Sequence, residues 1–161
     1  MMAREAGGSG GLLARAVQLL ARREHSRAEL ARKLAQRGRA GDTEAPDPSA
    51  ISGLLDDLER QGLLSDQRFA TQRARQRGQR YGDARVRREL QQSGIAAPLA
   101  VAAVNELPET ELQRARAVWQ RRFGQLPTSR EERGRQGRFL QTRGFSMESI
   151  RRVLGGAADE G

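Results

Sequence analysis

Leu90-Gln91-Gln92-Ser93-Gly94 is the stretch that decides the fold. A leucine four residues before a glycine is how an amphipathic helix ends. The leucine faces the core from the last turn, and the glycine supplies the left-handed cap. The same offset returns at Leu34 and Gly38, and again at Leu140 and Gly144. A short helical segment follows each glycine. The glycine spacings are 56 and 50 residues, and the first is inflated by the acidic loop Gly41-Asp42-Thr43-Glu44-Ala45-Pro46-Asp47-Pro48. From Gly38 to the next anchor, Ile51, is 13 residues, whereas from Gly144 to Ile150 is 6. With that surplus removed the period is 49 to 50.

The chain therefore reads as all-α, with three tandem three-helix repeats forming an elongated, curved molecule. The repeats are expected at 12–60 (with a loop at 39–49), 61–107 and 108–156. A flexible tail at 1–11, carrying Gly7-Gly8-Ser9-Gly10-Gly11, and a short tail at 157–161 flank them. Each repeat alone has a small core, so packing against its neighbour is expected to add stability.

The apolar spacing supports helices throughout. Leu13, Val17 and Leu20 form one stripe; Ile51, Leu54, Leu55 and Leu58 a second; Met147, Ile150, Val153 and Leu154 a third. Leu112, Ala115 and Trp119 share a further face. Ser26-Arg27-Ala28-Glu29 and Ser129-Arg130-Glu131-Glu132 read as capping boxes at helix starts. Pro98 suits a first helical turn. No segment keeps the period-2 alternation of a strand.

The 161 residues carry a net charge of +9, spread unevenly. Residues 12–59 balance, 60–94 carry +6, 95–109 carry −2 and 110–161 carry +5. Lys33 is the only lysine, so the bases are almost all arginine. Clustering of this kind predicts a surface for a polyanion. Arg73, Arg75, Arg77 and Arg80 lead into a helix bearing Arg85, Arg87 and Arg88, where Arg85 and Arg88 share a face. Arg114, Arg121, Arg122, Arg135, Arg138, Arg151 and Arg152 offer a second surface in the third repeat. Arginine presents a planar fork of donors to phosphate or carboxylate. Tyr81, in the turn Gly78-Gln79-Arg80-Tyr81-Gly82, is a candidate contact to DNA or a partner. The bland reading of the same residues is a solvated face with local ion pairs, such as Arg85 with Glu89. Trp119, Phe69 and Phe139 are expected in the core.

Catalysis is not expected. His25 is the sole histidine, and no partner or pocket is visible for it as a general base. Asp56, Asp57 and Glu59 follow an apolar stripe as its exposed side. No phosphate-cradling glycine loop is present. The chain has no cysteine, and no apolar run approaches the ~20 residues that cross a bilayer. A cytoplasmic protein without metal or cofactor is expected.

Three ordered stretches resemble the RecX family of recombinase regulators. They are Arg23-Glu24-His25-Ser26-Arg27-Ala28-Glu29-Leu30 with Lys33-Leu34 and Gly38; Gly62-Leu63-Leu64-Ser65-Asp66-Gln67-Arg68-Phe69-Ala70 with Tyr81-Gly82, Val86-Arg87-Arg88-Glu89-Leu90 and Gly94-Ile95; and Phe139-Leu140-Gln141-Thr142-Arg143-Gly144-Phe145-Ser146 with Ile150. The resemblance covers nearly the whole chain. It departs at the longer Gly41–Pro48 loop and at Arg39, where an apolar residue is usual. It implies three three-helix repeats and a monomeric, non-enzymatic regulator. Such a protein binds the RecA–single-stranded-DNA filament in its groove and inhibits strand exchange and ATP turnover. It also implies weak binding to DNA, to single strands and to duplex. The competing expectation is a helix-turn-helix-like DNA-binding regulator, since arginine-rich middle helices would suit a major groove.

Overall fold

The computed structural model describes residues 5–36 and 45–155, with side chains from Gly10 onward. Among the described residues there are helices and no strands. In chain order they are α1 Glu5–Arg22, α2 Arg27–Ala35, α3 Pro48–Arg60, α4 Asp66–Gly78, α5 Asp83–Gln92, α6 Ala97–Asn105, α7 Glu111–Arg122, α8 Arg130–Thr142 and α9 Met147–Gly155. Gly38, Arg39, the first half of the 41–48 loop and the 157–161 tail lie outside the described residues. The contacts divide the chain into two compact units. One is Met1–Ala70 with Ser93–Ile95, and the other is Thr71–Gln92 with Ala96–Gly161.

The first unit packs α1, α2 and α3 around Leu12, Ala16, Leu30, Leu34, Ile51, Leu55, Leu58 and Leu64. The sequence stripe on α1 needs correction. Leu13 and Val17 are each 45% exposed, while Leu12 and Ala16 are buried and Leu20 packs at the core's edge. Two overlapping helical spacings exist here, and alanine hides the buried one from an apolar count. Helical backbone also begins at Glu5, so the glycine-rich stretch expected as a tail lies within α1. Each glycine there costs about 1 kcal/mol relative to alanine. Elongation from an existing turn nevertheless adds one hydrogen bond per residue.

Local signals fix most helix ends. The Ser26 and Ser129 hydroxyls accept from the amides of Glu29 and Glu132 at 3.0 and 3.1 Å. Asp47 caps α3, with Pro48 in its first turn. Thr110 and Gln113 form a full capping box that opens α7. The stop glycines Gly94 and Gly144 both have φ +87°, the left-handed region that favours glycine. Leu34, Leu90 and Leu140, four residues before the expected stops, are all fully buried.

His25 is buried at 1% exposure. Its Nδ1 lies 3.0 Å from the Arg23 carbonyl, and its Nε2 lies 3.0 Å from the Lys33 ammonium. The carbonyl can only accept and the ammonium can only donate, so the ring is neutral with the proton on Nδ1. Burial holds its pKa below the ordinary value, and the neighbouring Arg23 and Lys33 charges act in the same direction. The histidine is a structural pin between α1 and α2. Asp56 and Glu59 both pair with Arg27, and Asp57 pairs with Arg60.

One junction device occurs twice. In the first unit, the amide of Arg27 at the start of α2 donates to Asp66 at 2.7 Å, and the Ser26 hydroxyl donates to the Ser93 carbonyl at 2.5 Å. A Cβ on Gly94 would overlap the Ala28 side chain. In the second unit, the amide of Asp83 at the start of α5 donates to Glu111 at 2.9 Å, and the Gly82 amide donates to the Arg143 carbonyl at 2.9 Å. A Cβ on Gly144 would lie 2.5 Å from that of Arg85. In both, an acidic residue opening one helix satisfies a free amide at another's N-terminus. A glycine stop packs beside it. Amides at a helix start favour a carboxylate through both hydrogen bonding and the helix dipole.

The second unit buries Val86 and Leu90 of α5 with Ala100, Ala103 and Val104 of α6. A further core comprises Ala115, Val118, Leu140, Phe145, Ile150, Val153 and Leu154, with Leu112, Trp119 and Phe139 at its edge. Met147, expected on the buried stripe of α9, is 57% exposed. It sits in the first turn, ahead of where α9 meets the core.

Candidate nucleic-acid interface

The candidate arginines fall into two classes, those spent on holding the fold and those free to face a partner. Tyr81 organises the first class. At the end of α4 the amides of Arg80 and Tyr81 both donate to the Arg77 carbonyl, at 3.1 and 3.0 Å. The turn projects the Tyr81 ring among three guanidinium groups. Arg85 lies 3.8 Å from the ring centroid, Arg77 4.4 Å and Arg143 5.3 Å. Cations are attracted to the ring's negative face. Arg77 also grips Glu89 with two bonds, at 2.7 and 2.8 Å, and Arg85 reaches the same carboxylate at 3.4 Å. The Arg77 hydrogen bonds, ahead of the neighbouring charges, hold the Glu89 carboxyl below the usual range. Arg85 further donates to the Thr142 carbonyl at 3.4 Å. The ion pair of Arg85 with Glu89 is thus present, and Tyr81 has its ring faces engaged within the fold.

Arg114, expected on an outer surface, is 6% exposed and is here corrected to a structural residue. Its guanidinium donates to the carbonyls of Gly78 and Tyr81 at 3.0 and 2.9 Å and pairs with Asp83. The physical reason is that the chain leaves α4 with carbonyls unpaired. A planar fork of donors satisfies two of them together with a carboxylate. Burial, first, pushes the Asp83 carboxyl upward, while Arg114 opposes that shift.

The remaining candidates divide as follows. Arg121 is exposed and donates to the Gln79 carbonyl at 2.9 Å. Arg122 is exposed above Phe123 and Phe139, at 5.5 and 5.7 Å from their centroids. Those two rings meet edge to face at 5.3 Å. Trp119 donates from its indole nitrogen to Gln136 at 2.8 Å, which places it at the core rather than on a stacking surface. Arg73 and Arg87 are half-buried. Arg75, Arg80, Arg88, Arg135 and Arg138 are exposed. Among the described residues, no carboxylate pairs with the guanidinium of Arg75, Arg80 or Arg88. Sequence reasoning missed Arg143 as a third cation on Tyr81. It also missed Glu111, which accepts from Asp83, Ser146 and the Ser149 hydroxyl. For Arg143 a signal existed, since it immediately precedes a stop glycine.

Exposed guanidinium groups on short, rigid helices can bind phosphates or carboxylates, and they supply no nucleophile or base. Among the described residues no group of histidine, aspartate or glutamate side chains is placed to hold a metal ion. No described helix is long and apolar enough to cross a membrane.

Comparison with known proteins matches this chain to three family models in order. They are the first three-helix domain of RecX at residues 13–43, the second at 65–104 and the third at 109–154. The protein named Regulatory protein RecX of Leptothrix cholodnii is 48% identical over 143 residues, covering 89% of this chain and 87% of that one. The protein of the same name from Pseudomonas syringae pv. tomato is 45% identical over 146 residues, covering 88% of each. The crystal structure of RecX from Lactobacillus salivarius superposes with a TM-score of 0.74 over 93% of this chain and 96% of that one, at 18% identity. A second RecX crystal structure gives 0.73 at 21% identity, over 93% of this chain and 74% of that one. At such identities these two matches establish the fold.

Proposed function

The chain belongs to the RecX family, and from that premise we propose that it is a non-enzymatic regulator that binds the RecA–single-stranded-DNA filament. It lodges in the filament groove and inhibits strand exchange and ATP turnover. It acts as a cytoplasmic monomer and binds DNA weakly by itself. The observation that carries this reading is the ordered match to all three RecX domains, supported by relatives named regulatory proteins across most of their length. The charge distribution agrees with it, because the net positive charge falls in residues 60–94 and 110–161 while residues 12–59 balance, and the candidate arginines that are exposed lie in the second and third matched domains. Arg75, Arg80 and Arg88 present charge to phosphate or to acidic loops of the recombinase, and Arg122, Arg135 and Arg138 extend the surface. Arg77, Arg85 and Tyr81 serve it indirectly by fixing the turn between α4 and α5. Groove occupancy opposes the closing motion that accompanies ATP turnover.

Changing Arg75, Arg80 and Arg88 together to Glu is expected to raise the concentration needed for half-inhibition of RecA strand exchange roughly tenfold or more, because three favourable charges become repulsive. Among the described residues none of the three makes an ion pair, so the helical circular-dichroism spectrum should not change. Undiminished inhibition by this variant would remove the three residues from the interface. Arg85 is unsuitable for the same test, since its loss would also remove its contacts with Tyr81, Glu89 and the Thr142 carbonyl.

A further inference from the structure

Helix α8 carries Gly134 and Gly137, three residues apart and so on neighbouring positions of one face. Packing does not demand the second. A Cβ there would lie 3.7 Å from Leu154 and 3.8 Å from Ile150, ordinary contact distances. The missing side chains leave a groove of about 480 Å³ along α8 and α9. Its apolar floor includes Met147, Ile150 and Leu154, and its rim carries Arg130, Arg133, Arg138 and Arg151. No aspartate or glutamate lines it. Four guanidinium groups thus surround an aliphatic floor, and Glu131 and Glu132 line the adjoining depression that shares Arg130 and Arg138.

We infer that this groove docks an acidic polypeptide segment of a partner protein, one that carries apolar side chains on its inner face. The rim supplies charge complementarity. The floor selects polypeptide over nucleic acid. Bases bind single-strand surfaces by stacking on aromatic rings, and none lines the groove. Phosphates gain nothing from Ile150, Leu154 and an exposed methionine, whereas a leucine or methionine side chain does. The chain itself provides two precedents. The starts of α2 and α5 each receive a carboxylate, from Asp66 and Glu111, beside a glycine turn packed closely on the helix. Counting back from the core leucines Leu34 and Leu140, Gly134 stands where Ala28 stands on α2, under the Gly94 turn. Among the described residues, no carboxylate from another helix reaches the start of α8. The inference goes beyond the proposed function, for it concerns a site on the isolated chain.

The test is fluorescence anisotropy with a labelled amphipathic peptide. The peptide is rich in Glu, with Leu on one helical face, and its control is the same peptide with Ser for Leu. The full chain is expected to bind the Leu peptide at least tenfold more tightly than the Ser peptide. Arg133→Glu with Arg151→Glu should weaken that binding tenfold or more, and so should Gly137→Leu, which fills the groove. Arg32→Glu, on exposed α2 surface, should not. Equal binding of both peptides, or equal loss in all variants, would reduce the effect to general charge attraction and overturn the inference. It would equally fall if an oligo-dT strand, and not the peptide, lost binding in the groove variants. Binding that emerged only after removal of residues 156–161 would assign the groove to the chain's own Asp159-Glu160 segment. The assay contains no recombinase, so its failure leaves the proposed function standing, and the reverse also holds.

Discussion

Gly144→Ala is expected to destabilise the second unit by about 2–5 kcal/mol, combining a left-handed backbone penalty of about 1–2 with an overpacking cost of about 1–3. The residue has φ +87°, and the new Cβ would meet the Arg85 Cβ at 2.5 Å and the Arg85 amide nitrogen at 3.2 Å. Little can yield. The Gly82 amide ties Arg143 to the start of α5, and a Cβ on Gly82 would itself overlap the Gly144 carbonyl. Gly124 separates the two contributions. It has φ +72°, but its nearest neighbours lie 3.4 Å away or more. Gly124→Ala should therefore cost only the backbone part, about 1–2 kcal/mol. Trp119 is the single tryptophan and lies in the same unit, so urea unfolding read by its fluorescence reports both variants. Equal losses in the two would show that the junction is not tightly packed.

Arg114→Met should cost about 3–5 kcal/mol, because it strands a half-buried carboxylate and two carbonyl acceptors. Gly78, Tyr81 and Asp83 all depend on this one guanidinium. Lysine should rescue only part of the loss, since a single ammonium cannot reproduce the fork. Adding Asp83→Asn to Arg114→Met removes the stranded charge. The double variant should then be less destabilised than the two single losses summed, by about 1–3 kcal/mol. Strict additivity in the same fluorescence unfolding experiment would mean that Arg114 and Asp83 do not act as a pair.

Much of this fold was legible because its signals are local. The leucines before Gly94 and Gly144 had to be buried for those helices to pack, and the glycines had to adopt a conformation that other residues resist. Ser26 and Ser129 announced helix starts by chemistry. The Thr110 and Gln113 box carried the same signal and went unread. Periodicity was weaker where two stripes overlapped, as on α1, where small Ala16 marks the buried face. Charge misled at Arg114, because partners distant in sequence decide whether an arginine is a surface group or a donor to stray carbonyls. The candidate interface was legible as a charge cluster and no further. That Arg77 and Arg85 are held by Glu89 and Tyr81, while Arg75, Arg80 and Arg88 stay exposed, depends on turns whose geometry no spacing encodes. The groove on α8 was illegible for a related reason, since Gly134 and Gly137 in a helix read only as weak helix formers.

Regulation of the recombinase filament is open to a direct measurement, RecA ATP hydrolysis on single-stranded DNA with increasing amounts of this chain. The rate is expected to fall, beginning below one chain per recombinase subunit. A rate unchanged even at excess would contradict it and would turn attention to a helical module acting on duplex DNA alone.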